Sequence, residues 1–213
     1  VPSEKVITQL LEKTKADYIG ITLSSKQLKL ARDYAKKRKL TSKVKFYNKD
    51  YFNTRFRNNT FDKVFAIESF CYASPDSLKF AKEMFRILKR KGKMVIIDGV
   101  LLRSPQTKKE ECIAKTFLRG WRLSSGDTPN ETIKNLRKAG FKNVRFIDHT
   151  RHIKRNISKV CFLGRISHFF LKPLNYLNLI NSVEFDNART MIVQKELVEI
   201  GILGHGIFYA EKK

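Results

Sequence analysis

Three short stretches hold side chains able to do chemistry. "AIESFCYA" (66 to 73) leaves an apolar run and then offers a carboxylate at Glu68, a thiol at Cys71 and a phenol at Tyr72. Glu68 suits a base or an electrostatic stabiliser; it equally suits a strand-end glutamate paired with a nearby lysine. No motif places a histidine beside Cys71, so a thiolate nucleophile has no support. "YIGITLSSKQ" (18 to 27) reads as the end of a buried strand, a sharp turn and the start of a helix. Ligands of open α/β sheets bind outside the carboxyl ends of strands, where Thr22, Ser24 and Gln27 would stand. Ser24 and Ser25 could also simply cap the next helix. Asp50 closes the stretch "KFYNKD" and is followed by Tyr51 and Phe52, rings that serve either a ligand or the core. His149 and His152 in "DHTRH" are three residues apart with no third ligand within reach, which is a weak metal signal.

The elements that must position these groups alternate. The apolar spacing of "SEKVITQLLEKTK" (3 to 15) predicts a helix, "DYIGITL" a strand, and "SSKQLKLARDYAKKRKL" a helix with Leu28, Ala31 and Ala35 inward. "KVKFYN" and "FDKVFAIES" follow as strands. "SPDSLKFAKEMFRILKRKGK" reads as a helix closing on Gly92, and "MVIIDG" as a strand. Apolar strands without alternation, separated by helices, argue for a parallel sheet covered on both faces. Residues 100 to 127 form a long connection with room for a helix and carry Trp121, the only tryptophan. "TPNETIKNLRKAGF" is a marked helix, with Thr128 as cap, Pro129 at the first turn, Glu131 completing a capping box and Gly140 as the stop. "NVRFIDHT" reads as a strand, residues 157 to 203 as aromatic-rich chain with one helix, and "HGIFYAEKK" as a last strand.

At 213 residues and 42% hydrophobic the chain can bury a substantial core, and one domain suits it better than two. Forty-four Lys and Arg against 20 Asp and Glu give a formal charge of +24. That field would attract nucleic acid, anionic lipid or phosphorylated substrates, but the lysines are spread along the chain as in a general compositional bias. Cys71, Cys112 and Cys161 are far apart and odd in number, which fits a reducing, cytoplasmic setting. No apolar run approaches the ~18 residues of a spanning helix.

With the order of elements in hand, five segments carry a family resemblance: "GITLSSKQ" (20 to 27), "KD" with Tyr51, "FDKVFAIESFCYASPD" (61 to 76), "RILKRKGKMVIIDG" (86 to 99) and "LRKAGFKNVRFIDHT" (136 to 150). Together they resemble class I S-adenosylmethionine-dependent methyltransferases, in the branch of sterol, tocopherol, terpenoid and cyclopropane-lipid enzymes. The resemblance implies a Rossmann-like α/β sheet with helices on both faces. It implies one methyltransferase domain over 1 to 213, residues 1 to 100 binding cofactor and 101 to 213 covering the acceptor. The implied cofactor is S-adenosyl-L-methionine, with Thr22, Leu23, Ser24 and Gln27 around its ribose and amino-acid end. Asp50 would accept from the adenine amino group, Tyr51 would pack on the adenine, and Ile67 would be buried beside the site.

In that family the segment matching Glu68 lines the active site beside the sulfonium, so Glu68 becomes the candidate stabiliser or base and Tyr72 its neighbour. Where tocopherol- and cyclopropane-type enzymes usually carry a histidine this chain has Tyr72. A small hydrophobic acceptor is implied, and the aromatic-rich character of residues 100 to 125 and 157 to 185 places its pocket there, walled by Cys71, Trp121, Phe162, Phe169 and Phe170; peripheral membrane contact stays open. The first strand and the glycine-rich loop of the family have no counterpart here, so the resemblance also implies a chain truncated at its amino end: a fragment, or a remnant with impaired cofactor binding. The competing reading is a basic, non-catalytic protein that binds nucleic acid or anionic membrane on the same scaffold.

Overall fold

The computed structural model describes residue 14 and residues 16–176 and 182–213. The helix expected over 3 to 15 lies outside the described residues, Thr14 apart. Contacts divide the chain into two compact units, Val1–Thr60 and Phe61–Lys213.

In the first unit, strand β1 (Tyr18–Thr22) runs parallel to β2 (Val44–Asn48), in register from Tyr18 opposite Val44 to Thr22 opposite Asn48. Helix α1 (Ser25–Lys37) connects them and buries Ala31 and Ala35. Ser24 is its N-cap, its hydroxyl accepting from the Gln27 N–H at 3.2 Å, and so stands in for one of the donors' missing intrahelical partners.

The second unit is a four-stranded sheet in the order β3-β4-β6-β5, formed by β3 (Phe61–Ile67), β4 (Leu88–Leu101), β5 (Lys142–Asp148) and β6 (Leu203–Glu211). β3 is parallel to β4, whereas β6 is antiparallel to both β4 and β5. The last strand therefore inserts between two earlier ones. Between β3 and β4 come a 3-10 turn (Phe70–Ala73) and α2 (Ser77–Ile87). After β4 come α3 (Lys108–Trp121) and α4 (Pro129–Lys138); after β5 come α5 (Thr150–Tyr176) and α6 (Ser182–Glu199). Alternate residues of β4 and β6, including Met94, Ile96, Val100, Phe208 and Ala210, are buried. This is the sheet's apolar layer.

Local signals are realised closely in α4, where both halves of the Thr128–Glu131 capping box form. The helix expected to reach Gly92 instead ends at Ile87, and β4 begins at once. Lys91 N–H donates to Lys212 O at 2.7 Å and Lys212 N–H to Gly92 O at 2.9 Å, so the carboxyl end of the chain draws residues 91 and 92 out of helical geometry. The irregular, aromatic-rich stretch read from sequence as starting at residue 157 lies, as far as Tyr176, within one continuous helix that begins at Thr150. Ile157, Cys161 and Gly164 recur at helical spacing on its buried side. No helix among the described residues is long and apolar enough to cross a membrane.

Candidate active site

The carboxyl ends of β3 and β4 meet at a buried aspartate. Asp98, 1% exposed, accepts from the backbone N–H groups of Ser69, Phe70 and Cys71 on Oδ2 at 2.8, 2.6 and 3.1 Å, and from Gly99 N–H on Oδ1 at 2.8 Å. Four donors on one carboxylate lock the segment that follows β3. The same segment starts with Glu68 in the left-handed region (φ 50°), its N–H still bonded to Ile97 O at 2.9 Å. A non-glycine residue held there costs about 1–2 kcal/mol, and such strain persists only where surroundings impose it.

Across the sheet, β6 brings His205 to this point. Its backbone is held from both sides, N–H donating to Thr150 Oγ1 at 3.1 Å and C=O accepting from His149 N–H at 2.8 Å. Its Nε2 lies 2.8 Å from Glu68 Oε1. The hydrogen bond to Glu68 raises the His205 pKa above the usual imidazole range, against the opposing effect of burial. Burial pushes the Asp98 carboxyl up, and the Glu68 charge adds to this, partly offset by the N–H donors. Burial likewise raises the Cys71 thiol far above its usual range and, more weakly, the Tyr72 phenol. A thiol held in its neutral form by burial is a poor nucleophile, which argues against that role for Cys71.

Glu68, Tyr72, Asp98 and His205 open into a cavity of about 220 Å³. Its walls are mostly apolar, with Leu101, Phe117, Trp121 and Leu203 among them. A further polar patch lines it: Ser74 Oγ donates to Asp127 Oδ1 at 2.6 Å and accepts from Ser125 Oγ at 2.6 Å. Asp127 Oδ2 and Gln194 Oε1 are buried in the same lining without a hydrogen-bond partner among the described residues. A buried acceptor left unpaired is costly, so these oxygens are ready for a donor on a ligand or a water. Among the described residues no Lys or Arg lines the cavity.

The structure thus brings Glu68, Cys71, Tyr72 and Trp121 together, with Ile67 at the end of β3. It does not bring Phe162, Phe169 and Phe170 there: they stand 64%, 74% and 64% exposed on α5. Their aromatic character suited a pocket wall, but they fall on the side of α5 opposite Ile157, Cys161 and Gly164. His205 and Asp98 were not singled out from sequence. Two signals pointed to them: a histidine bracketed by Gly204 and Gly206 in the last strand, and an acidic residue closing the apolar run "MVII".

The first unit holds its own cluster at the end of β1. Thr22 Oγ1 donates to Gln27 Oε1 at 2.9 Å and accepts from Ser24 N–H at 3.1 Å, with Leu23 66% exposed at the turn. After β2, Asp50 Oδ1 accepts from Phe52 N–H at 2.8 Å, which leaves its other oxygen to accept from a ligand. Tyr51 packs edge-on against Phe52, ring centroids 4.7 Å apart. A hydroxyl and an amide at one strand end and a carboxylate at the next are a donor and acceptor set that fits a sugar diol and an exocyclic amine.

A family model described as a methyltransferase domain matches residues 3–96. Residues 3–96 thus match a methyltransferase domain. Solved structures share this fold, among them a geranyl diphosphate methyltransferase in complex with SAM, with a TM-score of 0.74 at 15% identity, covering 97% of this chain and 73% of that one. The chain is similar to Methyltransferase phqN of Penicillium fellutanum, 29% identical over 134 residues, covering 61% of this chain and 40% of the relative. It is similar to Sterol methyltransferase-like 3 of Botryococcus braunii, 30% identical over 145 residues, covering 68% of this chain and 36% of the relative. Among solved structures, geranyl diphosphate C-methyltransferase from Streptomyces coelicolor A3(2) superposes with a TM-score of 0.73 at 16% identity, covering 97% of this chain and 66% of that one. The chain thus spans about two fifths of the length of the two curated relatives.

Proposed function

We propose that the protein methylates a small, uncharged hydrophobic acceptor of the lipid, terpenoid or sterol-like class, with S-adenosylmethionine as donor. The observation that carries this reading is the apolar cavity with Glu68 and His205 paired at its edge and no basic residue among the described residues of its wall. When bound, the cofactor supplies an electrophilic methyl group. Thr22, Leu23, Ser24 and Gln27 are the residues to hold its ribose and amino-acid end, Asp50 its adenine amino group, and Tyr51 the ring face. Residues 1 to 100 then serve the cofactor and 101 to 213 the acceptor within one methyltransferase domain.

Positive charge develops on an alkene carbon as it gains the methyl group, and a preorganised carboxylate beside it stabilises that charge. Glu68 is placed for this role, with the Tyr72 ring as an aromatic neighbour. The proton then lost from the adjacent carbon, or from a hydroxyl if oxygen is methylated, passes to the Glu68–His205 pair. A phosphorylated acceptor would meet Glu68, Asp98 and Asp127 without a compensating lysine or arginine among the described residues. The free thiols of Cys71, Cys112 and Cys161 support a reducing, cytoplasmic setting.

The test has two arms. Calorimetry with S-adenosylhomocysteine should give saturable binding that Asp50→Ala weakens. Transfer of labelled methyl to a panel of a sterol, a terpene alcohol and geranyl diphosphate with Mg2+ should favour an uncharged member. Cofactor binding without transfer to any apolar acceptor, or transfer to the diphosphate alone, would overturn the acceptor assignment. The rival reading, a basic non-catalytic binder, is supported by charge alone and has no element of the cavity to explain.

A further inference from the structure

We propose that the outward face of α5 is a docking surface for an anionic membrane, with its phenylalanine ridge inserted among the lipids. The inference stands apart from the acceptor assignment, since it concerns a surface outside the cavity.

Helix α5 buries Ile157, Cys161 and Gly164. Gly164 lets α6 approach closely: a Cβ there would lie 2.6 Å from the Cβ of Met191 and 3.1 Å from Ala188 O. The opposite side is turned outward. There Phe162, Ile166, Phe169 and Phe170 recur at helical spacing, 64%, 42%, 74% and 64% exposed, with Leu163 58% exposed beside them. Single exposed apolar residues are ordinary, but a contiguous ridge of this size marks an interaction site.

Charge decides the partner. Residues 150 to 176 include Arg151, Lys154, Arg155, Lys159, Arg165 and Lys172 and no Asp or Glu. None of the six enters an ion pair among the described residues. Arg155 and Lys159 continue the outward stripe toward the amino end, and Arg165 and Lys172 flank the ridge. An apolar ridge bordered by cations matches the interface of an anionic bilayer, with rings below the headgroups and ammonium and guanidinium groups among them. A second copy of the chain would bring two such sets of six cations together with no acidic group from either helix, which opposes self-association. Nucleic acid would match the charge but not the ridge: Phe169 and Phe170 meet edge-to-face at 85°, with centroids 5.5 Å apart, and aliphatic Leu163 and Ile166 are exposed on the same helix. Such a surface offers no parallel platform for bases.

The test is partitioning of the full chain onto phosphatidylcholine vesicles with and without phosphatidylserine, at low and high salt, without cofactor or acceptor. Wild type should prefer the phosphatidylserine vesicles by at least tenfold at low salt and lose most of that preference at high salt. Phe169→Ser with Phe170→Ser should lower partitioning roughly 10²-fold on phosphatidylserine vesicles, about tenfold per ring. Arg155→Glu with Lys159→Glu should lower it roughly thirtyfold or more on phosphatidylserine vesicles only. Should the phenylalanine variant misfold by circular dichroism, hydrogen exchange of wild type reads the same point: residues 162 to 173 should gain protection on vesicles. Absence of binding, or binding indifferent to the phenylalanines with no such protection, overturns the proposal. So does a wild-type dimer that the phenylalanine variant dissolves, or a saturable preference for RNA that depends on the rings.

Discussion

Replacing Glu68 by Gln keeps shape and hydrogen-bonding capacity and removes one charge, so it isolates the electrostatic part of the Glu68–His205 contact. The contact is 2.8 Å long; the Glu68 side chain is 53% exposed and the His205 side chain 17%. Because one partner faces water, the ion pair contributes about 1 kcal/mol at most, well below the roughly 4 kcal/mol that a pair near a surface would show without discount for exposure. The pKa of His205 is raised in the folded protein. This contribution is therefore fully present below the ordinary imidazole value, about 6.5, and disappears as pH rises through the raised value. Thermal unfolding of wild type and Glu68→Gln should differ by about 2–4 °C at pH 5.5, as expected for ~1 kcal/mol in a chain of this size, and should converge by pH 9. The His205 ring resonance should titrate at lower pH in the variant. The chemical step should be more sensitive than stability, falling roughly 10²-fold in single turnover if Glu68 faces developing positive charge, with cofactor affinity unchanged. A pH-independent difference in melting, or an unmoved His205 titration, would refute the ion pair. Equal single-turnover rates would leave Glu68 as a structural residue.

Other expectations follow from packing and hydrogen bonding. Asp98→Asn leaves one oxygen and an NH2 group facing four backbone donors, and should cost about 2–4 kcal/mol by urea unfolding; a loss below 0.5 kcal/mol would mean the donors find other partners. Gly120→Ala places a Cβ 1.6 Å from Thr190 Oγ1 and 3.1 Å from Asp186 O, so α3 must move away from α6, and melting should report a loss of about 1–3 kcal/mol. Asp127→Asn converts an orphaned carboxylate oxygen into a site that can be an amide donor. Trp121 lies in the same cavity wall, so its fluorescence should report weaker binding of a terpene alcohol and little change for the matching hydrocarbon. An unchanged alcohol preference would place Asp127 outside acceptor recognition.

The parts of this protein legible in its sequence are those whose causes are local. The Thr128 cap, the proline after it and Glu131 satisfy the first turn of α4 within four residues, and the Thr22–Ser24–Gln27 turn closes on itself in the same way. Glu68 was visible because it directly follows an apolar strand. His205 was not, because its role depends on β6 inserting antiparallel between β4 and β5 and so bringing together side chains 137 residues apart. Nothing near "GHG" encodes that pairing; it arises when the whole sheet selects the one register that buries Phe208 and Ala210. Asp98 was hidden for a related reason, since its partners are backbone N–H groups, which every sequence possesses and no motif distinguishes. Phe162, Phe169 and Phe170 show the reverse limit. Aromatic type makes burial the default expectation, but burial within a helix follows phase, and here the small residues Cys161 and Gly164 take the inward positions against α6 while the large rings take the outward ones. A helix that spends its small residues on its own core and its phenylalanines on the surface has its apolar face reserved for something outside the fold.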